Sequence, residues 1–185
     1  MDWILASASP RRKELLAELI DRFEVIPAKG EECVQEGLSP QELVEALAAQ
    51  KAREVAALPC ARGKCVLGSD TVVAFQGEVL GKPKDEADAR RMLTELSGNT
   101  HEVYTGVCIV FGGKEYIRSA CTKVVFERLT ASQIEAYIAT GSPMDKAGAY
   151  GIQDGGLVKE IQGSYSNVVG LPLELLREMI NEVKN

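Results

Sequence analysis

Residues 101–127 read HEVYTGVCIVFGGKEYIRSACTKVVFE. Two runs, His101–Phe111 and Glu115–Glu127, alternate apolar and polar residues on either side of Gly112-Gly113. A two-residue glycine turn between alternating runs predicts a β-hairpin, because both central positions need positive φ. Such a hairpin is antiparallel. Outward from it, short apolar runs alternate with helical patterns, which predicts an α/β fold with a mixed sheet and helices on its faces.

Toward the N-terminus, Trp3–Ala6 reads as a short buried strand. Ser9-Pro10 opens a helix, with serine as cap, proline in the first turn, and Leu15, Leu16, Leu19 and Ile20 as the buried stripe. Phe23–Ile26 reads as another short strand. Ser39-Pro40-Gln41-Glu42 is a capping box opening a helix to about Ala57, with Val44, Leu47, Ala48 and Val55 on one face. Cys65–Phe75 reads as a strand interrupted at Gly68-Ser69-Asp70-Thr71, and Glu78–Leu80 returns beside it across Gln76-Gly77. Asp85 caps a helix to about Leu96, closed by Ser97-Gly98. Thr130 caps one that stops at Gly141. After a glycine-rich loop come short strands near Leu157–Ile161 and Tyr165–Val169, then a helix over Pro172–Val183. No linker, repeat or low-complexity stretch divides the chain, so a single domain over residues 1–185 is expected.

Composition narrows the function classes. At 45% hydrophobic, the 185 residues suffice for one core. The net charge of −6 leaves no broad positive field, which argues against a nucleic-acid binder. An anionic ligand must therefore be held by a few local cations. His101 is the lone histidine, so no histidine cluster can bind zinc; it is read as structural. The five cysteines form no CxxC and read as reduced thiols, with Cys65, Cys108 and Cys121 expected in strand core. Cys60 and Cys65 could pair only if the loop between them allows it. No apolar run reaches the ~18 residues of a membrane span. MDWILASASPRRKELL places its basic residues after its apolar ones, the reverse of a secretory signal. A cytoplasmic protein is expected.

Four segments could carry chemistry. In Ser7-Ala8-Ser9-Pro10-Arg11-Arg12 a strand gives way to a helix, whose free N–H groups and dipole suit an anion. Arg11 and Arg12 add positive charge where the dipole prefers acid, which points to a polyanion; an ordinary cap with solvated arginines is the plainer reading. Lys51 falls on the apolar stripe of its helix, four residues after Leu47 and four before Val55, so it snorkels or meets an anion. Lys82, between Gly81 and Pro83, is a second candidate cation or a routine turn lysine. Asp70 stands among strand residues where acids are scarce; it could hold a metal, activate water, or be satisfied within a bulge. Glu31 and Glu32 could add a carboxylate or be solvated. Residues 143–156, PMDKAGAYGIQDGG, allow close backbone approach to a ligand but lack the P-loop order. Gln153 there could read a base edge.

Taken together, LASASPRRKELL, the acids of GEE, QKA, GSDTVV, LGKP, LSGNTHEVYTGV, PMDKAGAYGIQ and SYSNVVGLP resemble the Maf family of nucleoside triphosphate pyrophosphatases, in order from residue 5 to 172. The resemblance implies an inosine triphosphate pyrophosphatase-like fold with a long central sheet and a cleft between two lobes. It implies hydrolysis between the α- and β-phosphates with Mg²⁺ or Mn²⁺, and a homodimer as a common state. By position, Asp70 resembles the proton acceptor and metal-site acid, and Glu32 its partner carboxylate. Ser7, Arg11, Arg12, Lys51 and Lys82 resemble the triphosphate-binding set. Arg12, Thr71 and Gln153 match the branch that prefers dTTP and UTP over the 7-methyl-GTP branch. Ser69 departs from the family's frequent alanine. The family's link to septum formation leaves a non-catalytic nucleotide-binding regulator as the alternative.

Overall fold

The computed structural model describes residues 1–33 and 36–184. Its strands are β1 (Trp3–Leu5), β2 (Glu24–Val25), β3 (Cys65–Phe75), β4 (Glu78–Leu80), β5 (Thr100–Phe111), β6 (Lys114–Phe126) and β7 (Val158–Gln162). They form one sheet in the order β2-β1-β3-β5-β6-β7, with β4 on β3. β1 is parallel to β2 and β3, while β4 is antiparallel to β3 and β7 to β6. The helices are α1 (Pro10–Ala17), α2 (Pro40–Ala56), α3 (Glu86–Leu96), α4 (Ala131–Ala139), α5 (Tyr165–Val169) and α6 (Leu173–Lys184). The mixed α/β architecture is the expected one.

Local chemistry sets these boundaries. Ser39 and Thr130 each close a full capping box, and Ser9 and Asp85 cap their helices through side-chain oxygens. The hairpin turns fall on Gln76-Gly77 and Gly112-Gly113, all four with positive φ.

The chain folds into two compact units, the first built from residues 1–71, 105–120 and 170–185, the second from 72–104 and 121–169. In unit 1, strand alternation sorts the core into two faces. Trp3, Leu5, Cys65, Leu67, Val107 and Ile109 pack with Leu16 of α1 and Leu176 and Met179 of α6. Ile4, Ala6, Val66 and Cys108 pack with Ala48, Ala49, Ala52 and Val55 of α2. In unit 2, α3 and α4 supply Leu93, Leu96, Ile134 and Ile138 to a core with Val103, Val124 and Phe126.

Several expectations are corrected. β3 runs unbroken through Gly68–Thr71, because Gly68 is not a bend but a contact point: a Cβ there would stand 2.3 Å from the Ala48 carbonyl oxygen of α2. Residues 165–169 are helical rather than a strand. The Ser164 hydroxyl accepts from Asn167 N at 3.1 Å, and this local cap outweighs the β-branched pair that follows. Phe23–Ile26 reduces to Glu24-Val25, both exposed. Cys121 is exposed, since the β6 alternation turns Thr122 and Val124 inward. Cys60 and Cys65 are free thiols.

His101 is structural as expected. It is 2% exposed, donates to or accepts from Tyr150 Oη at 2.7 Å, and meets Phe126 and Tyr150 edge-on. Burial pushes its pKa down to about 4. The unfolded chain therefore binds the extra proton first as pH falls, and stability drops from about pH 6.5 toward pH 4, by a total on the order of 3 kcal/mol. Urea titrations at pH 7 and 4.5 should show a smaller acid loss in His101→Gln than in the wild type. Gly68→Ala should lower the unfolding free energy by at least ~2 kcal/mol, since backbone has to move to admit the methyl; the same titrations at pH 7 measure it.

Candidate active site

The site residues of unit 1 follow from β-alternation past the end of a short strand. β1 stops pairing with β3 at Leu5 and Leu67. Three residues on, β3 presents Asp70, in phase with Val66 and Gly68, to the α2 face. Ser69 and Thr71 point to the α1 face. This is the carboxyl end of β1, partway along β3, where β3 loses its parallel neighbour.

On the α2 side, Lys51 Nζ forms an ion pair with Asp70 and a second with Glu32 at 2.9 Å. The lysine and Asp70 side chains are 19% and 14% exposed, Glu32 56%. Lys51 thus meets anions rather than snorkelling to water. On the α1 side, Arg12 is half-buried and uses its whole fork. Its Nε donates to Gly170 O at 2.8 Å, Nη2 to Thr71 Oγ1 at 3.0 Å and Nη1 to Ser7 Oγ at 3.3 Å. Burial lowers its pKa, with like charge on Arg11 adding to the shift, while the Asp70 and Glu32 carboxylates oppose it. A guanidinium stays charged throughout. Ser7 Oγ also accepts from Ser9 N at 3.2 Å, shaping the turn that leads into α1.

Some contributors escaped the sequence. Gly170 O accepts from both Arg12 and Ser69 Oγ, the latter at 3.3 Å. Thr105 Oγ1 lies 2.9 Å from Thr71 Oγ1. Only the quoted motifs SYSNVVGLP and LSGNTHEVYTGV hinted at Gly170 and Thr105, and neither residue was singled out.

The remaining candidates belong to unit 2. Lys82 is an exposed residue of the turn after β4, whose Gly81 carbonyl accepts from Gly148 N at 3.0 Å. Gln153 is exposed in a 3₁₀ turn over Ile152–Asp154. Asp154 Oδ2 accepts from Tyr137 Oη and Ser142 Oγ, both at 2.6 Å.

Asp70 and Glu32 are hard oxygen donors that already share one cation, the Lys51 ammonium. Among the described residues no group of three or more His, Cys, Asp or Glu is placed to hold a metal ion. A two-carboxylate set suits Mg²⁺ or Mn²⁺, which keeps waters and takes phosphate oxygens for the rest of its shell.

The family model for Maf-like proteins matches residues 2–183. The chain belongs to this family. Its Maf-like relatives include the dTTP/UTP pyrophosphatase of Moorella thermoacetica, 54% identical with 96% of this chain and 92% of the relative covered. That of Thermococcus gammatolerans is 51% identical, with 97% of each covered. The structure of the Staphylococcus aureus Ham1 protein superposes with a TM-score of 0.55 at 16% identity, over 98% of this chain and 99% of that one. The expected resemblance of fold is therefore present. No helix among the described residues is long and apolar enough to cross a membrane.

Because Arg12 makes three directed bonds, a lysine cannot replace it. Arg12→Lys should lower stability by about 1–3 kcal/mol in urea unfolding, and Thr71→Val by a smaller amount.

Proposed function

We propose that this Maf-like chain hydrolyses dTTP and UTP between the α- and β-phosphates, releasing the monophosphate and pyrophosphate and limiting non-standard nucleotides. The observation that carries this reading is the gathering of Asp70, Glu32, Lys51 and Arg12 in one unit, two acids and two cations where β1 ends beside β3. Relatives over 50% identical carry the name dTTP/UTP pyrophosphatase.

The roles follow from chemistry. A triphosphate near pH 7 carries about four negative charges, which Arg12, Arg11 and Lys51 of unit 1 offset. Ser7 adds a hydroxyl donor for a phosphate oxygen, and the positive end of the α1 dipole favours the anion. Asp70 takes the proton of a water as its oxygen attacks the α-phosphorus. The bond from that phosphorus to the bridging oxygen breaks, and pyrophosphate leaves with its charge stabilised by the cations. Asp70 and Glu32 are the residues that would hold Mg²⁺ or Mn²⁺. Such an ion, when bound, supplies charge neutralisation at the phosphates. Thr71 contacts the nucleoside, and in unit 2 the exposed Gln153 carries an amide that matches the donor and acceptor edge shared by thymine and uracil.

Incubation of dTTP with Mg²⁺ in ¹⁸O-water should give dTMP carrying the label and unlabelled pyrophosphate. Orthophosphate as product would refute the reading, and tight binding without turnover would favour a regulator. Asp70→Asn should reduce kcat about 10³-fold while the chain stays folded by circular dichroism, and full activity in that variant would remove Asp70 from the chemistry.

A further inference from the structure

Residues 29–33, which carry Glu32, belong to no helix or strand. Backbone N–H and C=O groups in such a segment need partners from elsewhere, and here α2 provides them. Lys29 N donates to Glu54 Oε1 at 2.7 Å, and Gly30 N to the same carboxylate at 3.1 Å. Beyond that anchor, the Gln50 side chain takes hold of the chain on both sides of Glu32. Its Nε2 donates to Glu31 O at 2.5 Å, and its Oε1 accepts from Cys33 N at 3.2 Å. Gln50 and Glu54 are one turn apart, so they share a face of α2.

We propose that Gln50 is a positioning residue: its amide acts as a one-residue strand neighbour that fixes the backbone around Glu32 and so delivers that carboxylate to Lys51 and Asp70. Lys51, the next residue of α2, holds the Glu32 carboxylate at 2.9 Å. One turn of helix thus supplies both the counter-charge and the frame. The pattern demands an amide. Glutamate lacks the donor for Glu31 O, lysine lacks the acceptor for Cys33 N, and leucine lacks both. The bonds do not serve the core, since residues 31–33 are exposed and belong to none of the core clusters. Their effect falls on where Glu32 stands.

This assignment rests on Glu32 being a site acid, and a double-mutant cycle separates the two ideas. Gln50→Leu should lower kcat/KM for dTTP by about tenfold or more, from two hydrogen bonds each worth a factor of about five. In an E32Q background the same change should cost less than about twofold, because the carboxylate it orients is gone. Mn²⁺ binding, followed by electron paramagnetic resonance with α,β-imido-dTTP present, should weaken by a similar factor in Q50L and E32Q. The urea midpoint of Q50L should stay near that of the wild type. If leucine disturbs folding, Q50E carries the same test with length and polarity kept, and its loss should be at least as large. An impaired E32Q beside an indifferent Q50L overturns the assignment of Gln50 alone, as does a Q50L loss that persists undiminished in E32Q. A fully active E32Q removes Glu32 from the site and the assignment with it.

Discussion

Helix α2 lies on β3 and β5 with backbone against backbone. A Cβ at Gly68 would stand 2.3 Å from Ala48 O, and one at Gly106 would stand 2.2 Å from Val44 O. The two carbonyls are one helical turn apart and the two glycines are on adjacent strands, so the pair fixes both the depth and the direction of the helix. Ala48, Ala49 and Ala52 complete a contact surface with little side chain in it. At this spacing the Lys51 ammonium reaches Asp70 two residues beyond Gly68 on the same strand face. A helix raised by one methyl layer would leave a half-buried carboxylate without its partner, a state costing several kcal/mol. The strand could carry an acid at Asp70 because the glycine before it let the lysine in.

The site's charges stabilise one another. Burial works against the Arg12 cation, while Asp70 and Glu32 work for it. Lys51 in turn holds together two carboxylates that would repel in its absence. Such a set is poised for a polyanion: the chain as a whole, at −6, repels one, so attraction must be local and short-ranged. Asp70 and Glu32 keep the cations from forming a bare positive patch, and they supply the oxygens a divalent ion prefers.

What the sequence made legible was whatever is decided within a few residues. Ser9, Ser39, Asp85 and Thr130 announced their helices, and Gln76-Gly77 and Gly112-Gly113 announced their hairpins, because caps and tight turns are short-range chemistry. Asp70 and Lys51 stood out as charges in apolar patterns. Where local signals competed, reading failed: Ser164 capping overruled Val168-Val169, and Gly68 read as a break although its contact is with a helix 20 residues earlier. Partners far along the chain were invisible. Arg12 and Gly170 are 158 residues apart, and Gln50 resembled any exposed helical glutamine until its loop closed over it.

The Arg12 network also explains why a substrate-side residue is so firmly built into the fold. The chain passes between the two units after Thr71, before Thr105 and before Gly170. Arg12 bonds directly to Thr71 and Gly170, and Thr71 bonds to Thr105. One guanidinium and two hydroxyls therefore tie together three of the places where unit 1 hands over the chain. A carbonyl and two buried or half-buried hydroxyls at such crossings would otherwise need water or strand partners. Meeting that need with a fork of donors fixes Arg12 in one orientation before any nucleotide arrives, so the entropy of ordering it is lost at folding rather than at binding. Asp70, one residue before the first crossing, is held from the other face by Lys51 of α2. The arginine is thus preorganised by the way the chain leaves unit 1, and the acid by the helix packed against Gly68.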